Sequence, residues 1–269
     1  MLRTQGLTKE FGGLTAVDDV DFELDHELCS LIGPNGAGKT TFFNLLTGAL
    51  TPTAGTVELR RGSDWEDITD AEPHETASRG LHRSYQVTNV FPNSTVLENV
   101  RVAEQAHSGE ATTFWRNVDH YDEFAERARE ILDRVGLTER ADDHASTLSH
   151  GAKRKLEVAI ALAGDPAVLL LDEPNAGVSS ESVDEIRDLI ESVAEDYPVL
   201  LVEHNMDIVM GVSDRVVVLH QGAVIADGPP DEVRANPDVQ SAYLGGYEPG
   251  SLSEGTDAES GADSEGGIV

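Results

Sequence analysis

Eight residues, Gly33-Pro34-Asn35-Gly36-Ala37-Gly38-Lys39-Thr40, constrain this chain more than any other stretch. They spell G-x-x-x-x-G-K-[ST] in full, between an apolar run, Leu28-Cys29-Ser30-Leu31-Ile32, and a helix expected from about Lys39 to Leu46. Glycines let consecutive backbone N–H groups turn inward around phosphate oxygens, where side chains would block approach. The helix that follows adds the positive end of its dipole. Lys39 can then reach the β and γ phosphates, and the Thr40 hydroxyl is placed to ligate Mg²⁺. Asn35, Gly36, Ala37, Gly38 and Thr41 complete the expected phosphate-binding set. A glycine-rich turn with an incidental lysine is the plainer alternative, and the strand–loop–helix context argues against it.

A second element points the same way. Leu169-Leu170-Leu171-Asp172-Glu173 ends a run apolar enough for a central parallel strand in two acids. Such a strand rarely closes on paired carboxylates unless a cation or a reaction needs them. Asp172 is the expected Mg²⁺ partner, through water, and Glu173 the expected general base for an attacking water. Together the two elements predict a nucleotide hydrolase without giving its type.

The rest of the chain alternates short apolar runs with helical stretches, the pattern of an α/β domain. Strands are expected at Val20–Leu24, Gly55–Leu59 and Val199–Val202, with a hairpin of Arg215–Leu219 and Ala223–Ala226 turning through Gln221-Gly222. Helices are expected at about Ala152–Ala163 and Glu181–Glu195. From about Val87 to Ser146 apolar residues recur at helical spacing (Phe124, Ala128, Ile131, Leu132, Val135), which predicts a helical subdomain inserted in the core. From about Glu248 to Val269 the chain is Gly, Ser, Asp and Glu with almost nothing apolar, a composition expected to remain a disordered acidic tail.

Composition narrows the function further. The 269 residues carry a formal net charge of −31, which makes nucleic acid a poor partner. The only lysines are Lys9, Lys39, Lys153 and Lys155. An acidic, lysine-poor surface fits a protein kept hydrated in concentrated salt, where repulsion is screened over about 3 Å at 1 M. A merely acidic mesophilic protein is the alternative. No window reaches the roughly 18–20 apolar residues of a membrane span. Met1 to Gly6 lack the apolar core of a secretory signal, so a cytoplasmic location is expected. Lone Cys29, in an apolar run, excludes a disulfide framework.

The hydrolase type comes from Leu148-Ser149-His150-Gly151-Ala152, followed by a helix and then by the Asp172-Glu173 strand. This resembles the LSGGQ signature of the ATP-binding-cassette (ABC) ATPases, and the element order is similar to that family from about residue 2 to 245. The resemblance implies an α/β P-loop NTPase of the ABC-ATPase fold. That fold has a RecA-like core, an inserted helical subdomain at about 87–150 and an N-terminal antiparallel β part. It implies one ATPase domain over 1–247, with 248–269 as the tail. It also implies that two subunits meet head to tail, each ATP lying between one phosphate loop and the partner's signature, here Ser149 and Gly151. Ser149 is a good N-cap, able to aim helix N–H groups across such an interface.

Further roles follow from the same resemblance. Gln86 corresponds to the glutamine that touches Mg²⁺ or the attacking water. His204, after Val202-Glu203, looks like the switch histidine that contacts the γ-phosphate and holds the water and Glu173. Phe11 resembles the aromatic that stacks on adenine, with Val17 close by, although an aromatic beside an N-terminal strand is often core. The signature departs at His150 and Ala152, and Ser179 stands where many members carry aspartate. Stretches such as Phe91–Val100, Leu156–Ala159, Glu203–Met210 and Asn236–Gly245 look like the importer group for branched-chain amino acids, with urea and amide importers as near relatives. That group implies separate integral-membrane permease subunits, docking near Val90 and Phe91, and indirectly an extracytoplasmic solute-binding protein. It places the chain peripherally on the cytoplasmic face of the membrane. A soluble non-transport ABC ATPase and a regulatory module that does not turn over are the competing classes. The intact set Lys39, Thr40, Gln86, Asp172, Glu173 and His204 predicts turnover.

Overall fold

The computed structural model of the chain describes residues 1–84, 90–108, 118–178 and 180–244. In chain order the described strands and α-helices are β1 (Leu2–Phe11), β2 (Leu14–Leu24), β3 (Leu28–Ile32), α1 (Lys39–Leu46), β4 (Ala54–Arg61), β5 (Asp64–Asp67), α2 (Pro73–Ser78), β6 (Leu81–Ser84), α3 (Val96–His107), α4 (Val118–Arg134), α5 (His150–Leu162), β7 (Val168–Asp172), α6 (Ser180–Ala194), β8 (Val199–Val202), α7 (Met206–Val212), β9 (Arg215–His220), β10 (Ala223–Gly228), α8 (Pro230–Ala235) and α9 (Pro237–Leu244).

The strands form two sheets. One is four-stranded in the order β2-β1-β4-β5, and its paired strands are antiparallel. The other is six-stranded in the order β10-β9-β3-β8-β7-β6. Its pairs β9–β3, β3–β8, β8–β7 and β7–β6 are parallel, and only β10 runs antiparallel to its neighbour.

The central strands show why the second sheet sits inside. Every residue of β3, β7 and β8 is buried. Side chains alternate between sheet faces, so one apolar run feeds two cores. Leu170 of β7 and Leu200 of β8 pack with Phe42 and Phe43 of α1 and with Leu2, Leu7 and Val17 of the antiparallel sheet. Leu169, Leu171, Val199 and Leu201 point the other way, onto Leu156 and Ala159 of α5 and Ile186 and Ile190 of α6. Phe22 and Phe42 meet edge to face, with centroids 5.6 Å apart.

Helix starts follow their capping residues. Thr95 and Glu98 form a reciprocal capping box at α3, and Ser149 accepts the Ala152 N–H at the start of α5. Glu72 and Glu75 do the same for α2, with Pro73 at its first turn. Between 90 and 149 the described residues hold α3, α4 and short 3₁₀ turns at Thr138–Arg140 and Ala145–Thr147, with one isolated bridge, Thr95 to His144. Val96, Val100, Ala128 and Leu132 of this stretch share the core of α5 and α6. The 248–269 segment lies outside the described residues.

Candidate nucleotide site

Four parallel strands deliver the site to one end of the sheet. Their register aligns Ser84 with Leu171, Asp172 with Val202 and Leu31 with Val202, so β6, β7, β8 and β3 all end together. The loops leaving β3, β7 and β8 carry Gly33–Gly38, Glu173–Val178 and Glu203–Asn205. A crevice at the carboxyl ends of parallel strands is the usual ligand position in open α/β sheets.

That crevice is a cleft of about 720 Å³. Asn35, Gly36, Ala37, Gly38, Lys39, Thr40 and Thr41 form its floor, and Glu173 and His204 stand over them. Gly36 lies at φ 81 with nothing within 4 Å of where a Cβ would be, so a side chain there would project into the space a phosphate needs. Gly38 (φ 106) is tighter still: a Cβ would meet the Ala16 carbonyl oxygen at 2.3 Å. Gly38 also precedes the first residue of α1, whose free N–H groups open on the cleft.

Lys39 is buried, and its Nζ donates to the Gly33 carbonyl at 2.6 Å and the Pro34 carbonyl at 3.2 Å. Burial lowers its pKa below the usual lysine value, and the nearby Glu173 and Asp172 carboxylates oppose that shift. Glu173 adopts φ 49, an uncommon left-handed conformation for a residue with a side chain, and its N–H donates to the Val202 carbonyl at 2.8 Å. This turn carries the Glu173 carboxylate out of the strand line and onto His204, with Oε1 2.6 Å from Nε2. Asp172 stays behind it, 8% exposed.

The other predicted residues fall in distinct places. Phe11 at the end of β1 is 46% exposed and lines the rim of the cleft beside Leu14, with the Lys9 ammonium 5.3 Å from its ring. Val17 is wholly buried in the core of β2, and Thr15 and Ala16 line the cleft instead. Ser149 is exposed, Gly151 is buried against Ser182, and neither lines the cleft of its own chain. Gln86 and Ser179 lie outside the described residues. Among the described residues no group of three or more His, Cys, Asp and Glu could hold a metal ion. The Thr40 hydroxyl and the Asp172 carboxylate are hard oxygen donors of the kind that suits Mg²⁺.

Several contributors carry no motif. Arg83, near the end of β6, donates from Nη2 to Asp172 Oδ2 at 2.5 Å and from Nη1 to Asn44 Oδ1 at 2.8 Å. It lies 5.4 Å from the Phe43 ring centroid. Glu203 is buried and accepts from Asn175 and His204. Tyr243 of α9, 41% exposed, lies near Gly33, and its partial burial raises its phenol pKa above the usual value. No local signal marks Arg83 in the sequence, because only the pairing of β6 with β7 brings it to Asp172.

Comparison with known proteins adds the family. The family described as "ABC transporter" matches residues 17–176, and "Branched-chain amino acid ATP-binding cassette transporter" matches residues 223–249. The chain is 41% identical over 255 residues to the high-affinity branched-chain amino acid transport ATP-binding protein BraF of Pseudomonas aeruginosa, covering 91% of this chain and 98% of that protein. The crystal structure of the ADP conformation of an ATP-binding cassette of an ABC transporter superposes with a TM-score of 0.77 at 31% identity, over 91% of this chain and 98% of that one. A dimeric cassette in a post-hydrolysis state bound to ADP and Pi gives a TM-score of 0.71 at 25% identity, over 86% and 99%. A family match spanning more than half of the chain, with a relative so similar along nearly all of it, places the chain among the ATP-binding subunits of ABC transporters.

Proposed function

We propose that this chain hydrolyses Mg-ATP in the Gly33–Thr40 cleft to energise uptake of branched-chain or other small amino acids through separate permease subunits. As an ABC transporter ATP-binding subunit it is an ATPase that powers transport. The cargo reading is supported by the branched-chain amino acid relatives and by the match of residues 223–249 to that branch. No helix among the described residues is long and apolar enough to cross a membrane. As a transporter ATP-binding subunit like its relatives, the chain meets its permease at the cytoplasmic face, with Phe91, 58% exposed, as a contact. An extracytoplasmic solute-binding protein supplies the cargo. The helical stretch at about 87–150 is a subdomain inserted in an ATPase domain of 1–247. The acidic, lysine-poor composition is an adaptation to concentrated salt.

The observation that carries the chemical part is the Glu173–His204 pair, 2.6 Å apart above the phosphate loop. The α1 N-terminus, the loop amides and Lys39 hold the triphosphate, and Phe11 and Leu14 give adenine an apolar rim. Lys39 exchanges its Gly33 and Pro34 carbonyls for phosphate oxygens. Glu173 takes a proton from the attacking water as that water's oxygen bonds the γ-phosphorus and the bond to the β-phosphate oxygen breaks. His204 orients the Glu173 carboxylate and faces the γ-phosphate. Thr40, Asp172 and Gln86 would hold Mg²⁺, which neutralises charge developing on the phosphates. Ser149 and Gly151 close the site of a second cassette, a copy or a paralogue, and that subunit closes this one.

Glu173→Gln tests the reading. Turnover of ATP is expected to fall by about 100-fold or more while ATP binding persists. Retained hydrolysis would remove Glu173 from the role of base.

A further inference from the structure

We propose that Glu203 is a positioning residue, a buried carboxylate that yokes the loop after β7 to the loop after β8 and so sets where His204 meets Glu173. The proposal rests on the reading that Glu173 and His204 perform the chemistry. It adds a residue that touches neither nucleotide nor water.

Glu203 is 5% exposed. A carboxylate in that position is costly unless hydrogen bonds replace its water. Its two oxygens accept from the two loops. Oε1 accepts the Asn175 backbone N–H at 2.9 Å and the Asn175 side-chain amide at 3.0 Å. Oε2 accepts the His204 backbone N–H at 3.1 Å. Donors bound to an ionised acceptor hold roughly twice as strongly as neutral pairs, so the link is stiff.

What it joins matters more than its own stability. Two further hydrogen bonds join the two segments, the Glu173 N–H to the Val202 carbonyl and the Glu173–His204 side-chain pair. Both involve Glu173, whose left-handed φ of 49 turns the chain sharply out of the line of β7. The turn beyond it is braced by the Ala176 N–H to the Glu173 carbonyl and by Val178 packing on the core of α5 and α6, but neither ties Asn175 to the loop that carries His204. Glu203 supplies that tie, at Asn175. Asn175 Oδ1 is buried with no hydrogen-bond partner among the described residues, so the Asn175 side chain is fixed through its amide nitrogen alone. The same loop reaches the signature. A Cβ on Gly151 would lie 3.8 Å from Val178 Cγ1, so the loop that Glu203 holds also abuts the first turn of α5.

A misplacement of about 1 Å in a reacting group can cost about 100-fold in rate, which makes the yoke visible in turnover. Glu203→Gln keeps the shape but replaces one acceptor oxygen by a donor, which cannot serve both loops. In the assembled transporter this variant is expected to lower kcat by about tenfold or more with KM for ATP within about twofold, because the phosphate loop is untouched. Asn175→Ala should lower kcat in the same direction. The double variant should fall no further than Glu203→Gln alone, as two parts of one contact do. In the nucleotide-free chain, the His204 ring resonance, assigned by its loss in His204→Ala, should move in a Glu203→Gln variant that still unfolds in one cooperative transition.

Unchanged kcat in both single variants, additive losses, or an unmoved His204 resonance would overturn the proposal. If Glu203→Gln does not fold, Asn175→Ala alone carries the kcat and resonance tests. The two readings fail separately. Retained hydrolysis in Glu173→Gln removes the catalytic pair and leaves the resonance test standing. Lost hydrolysis there beside normal turnover in Glu203→Gln removes only the yoke.

Discussion

At the scale of single residues, the site places charges where water cannot easily reach them, and each must be answered locally. Asp172 and Arg83 are the clearest case, with side chains 10% and 7% exposed and atoms 2.5 Å apart. Removing one partner of a buried pair leaves the other charge stranded, at a cost of about 3–5 kcal/mol. Arg83→Met is therefore expected to lower unfolding stability by about 3 kcal/mol in denaturant titration, far more than loss of an exposed pair such as Arg127–Glu123. The motif residues were legible because backbone chemistry dictates them: only glycine leaves the cradle open, and only a lysine and a hydroxyl follow it. Arg83, Glu203 and Asn175 were not. Their chemistry depends on partners that β6, β7 and β8 bring together, and nothing in Ser84's or Val202's neighbourhood along the chain announces the pairing.

At the scale of elements, apolar runs of β3, β7 and β8 read directly as central strands, because burial on both faces leaves no room for polar alternation. Strand β1, the short β5 and β6, and the brief helix α2 did not stand out. β6 reads Leu-His-Arg-Ser, a strand whose arginine finds its partners, Asp172 and Asn44, only in the tertiary structure and whose His82 Nε2 is buried without a hydrogen-bond partner among the described residues. Helix α5 starts at His150, two residues before the expected start, because Ser149 caps it and His150 and Gly151 form its first turn. His82 of β6 shows the cost of such a strand. Burial pushes its imidazole pKa down to about 4, and a Cβ on Gly164 would clash with its ring at 1.9 Å, so it folds neutral in a closely fitted space. A folded pKa below the unfolded value means the unfolded chain binds the extra proton, so stability falls as pH drops from about 6.5 toward 4. Urea unfolding across that window should show the loss, and His82→Gln should flatten it.

At the scale of the whole molecule, a net charge of −31 on 269 residues sets the solution behaviour. Mutual repulsion opposes compaction until salt screens it, and at about 1 M the screening length is already near 3 Å. For a salt-adapted chain the thermal midpoint should continue to rise between about 1 and 3 M KCl, beyond simple screening. A plateau reached below about 0.5 M would mark ordinary acidic repulsion and remove that reading.

Pairing also belongs to this scale, because a cleft lacking Ser149 and Gly151 of its own would be completed by a second cassette. Sedimentation of the Glu173→Gln chain with Mg-ATP, alone and with its permease and any paralogous cassette, measures this directly. The expected result is an ATP-dependent pairing of cassettes that ADP does not support and that Ser149→Arg abolishes. Cassettes that stay single in ATP under every one of these conditions would contradict it.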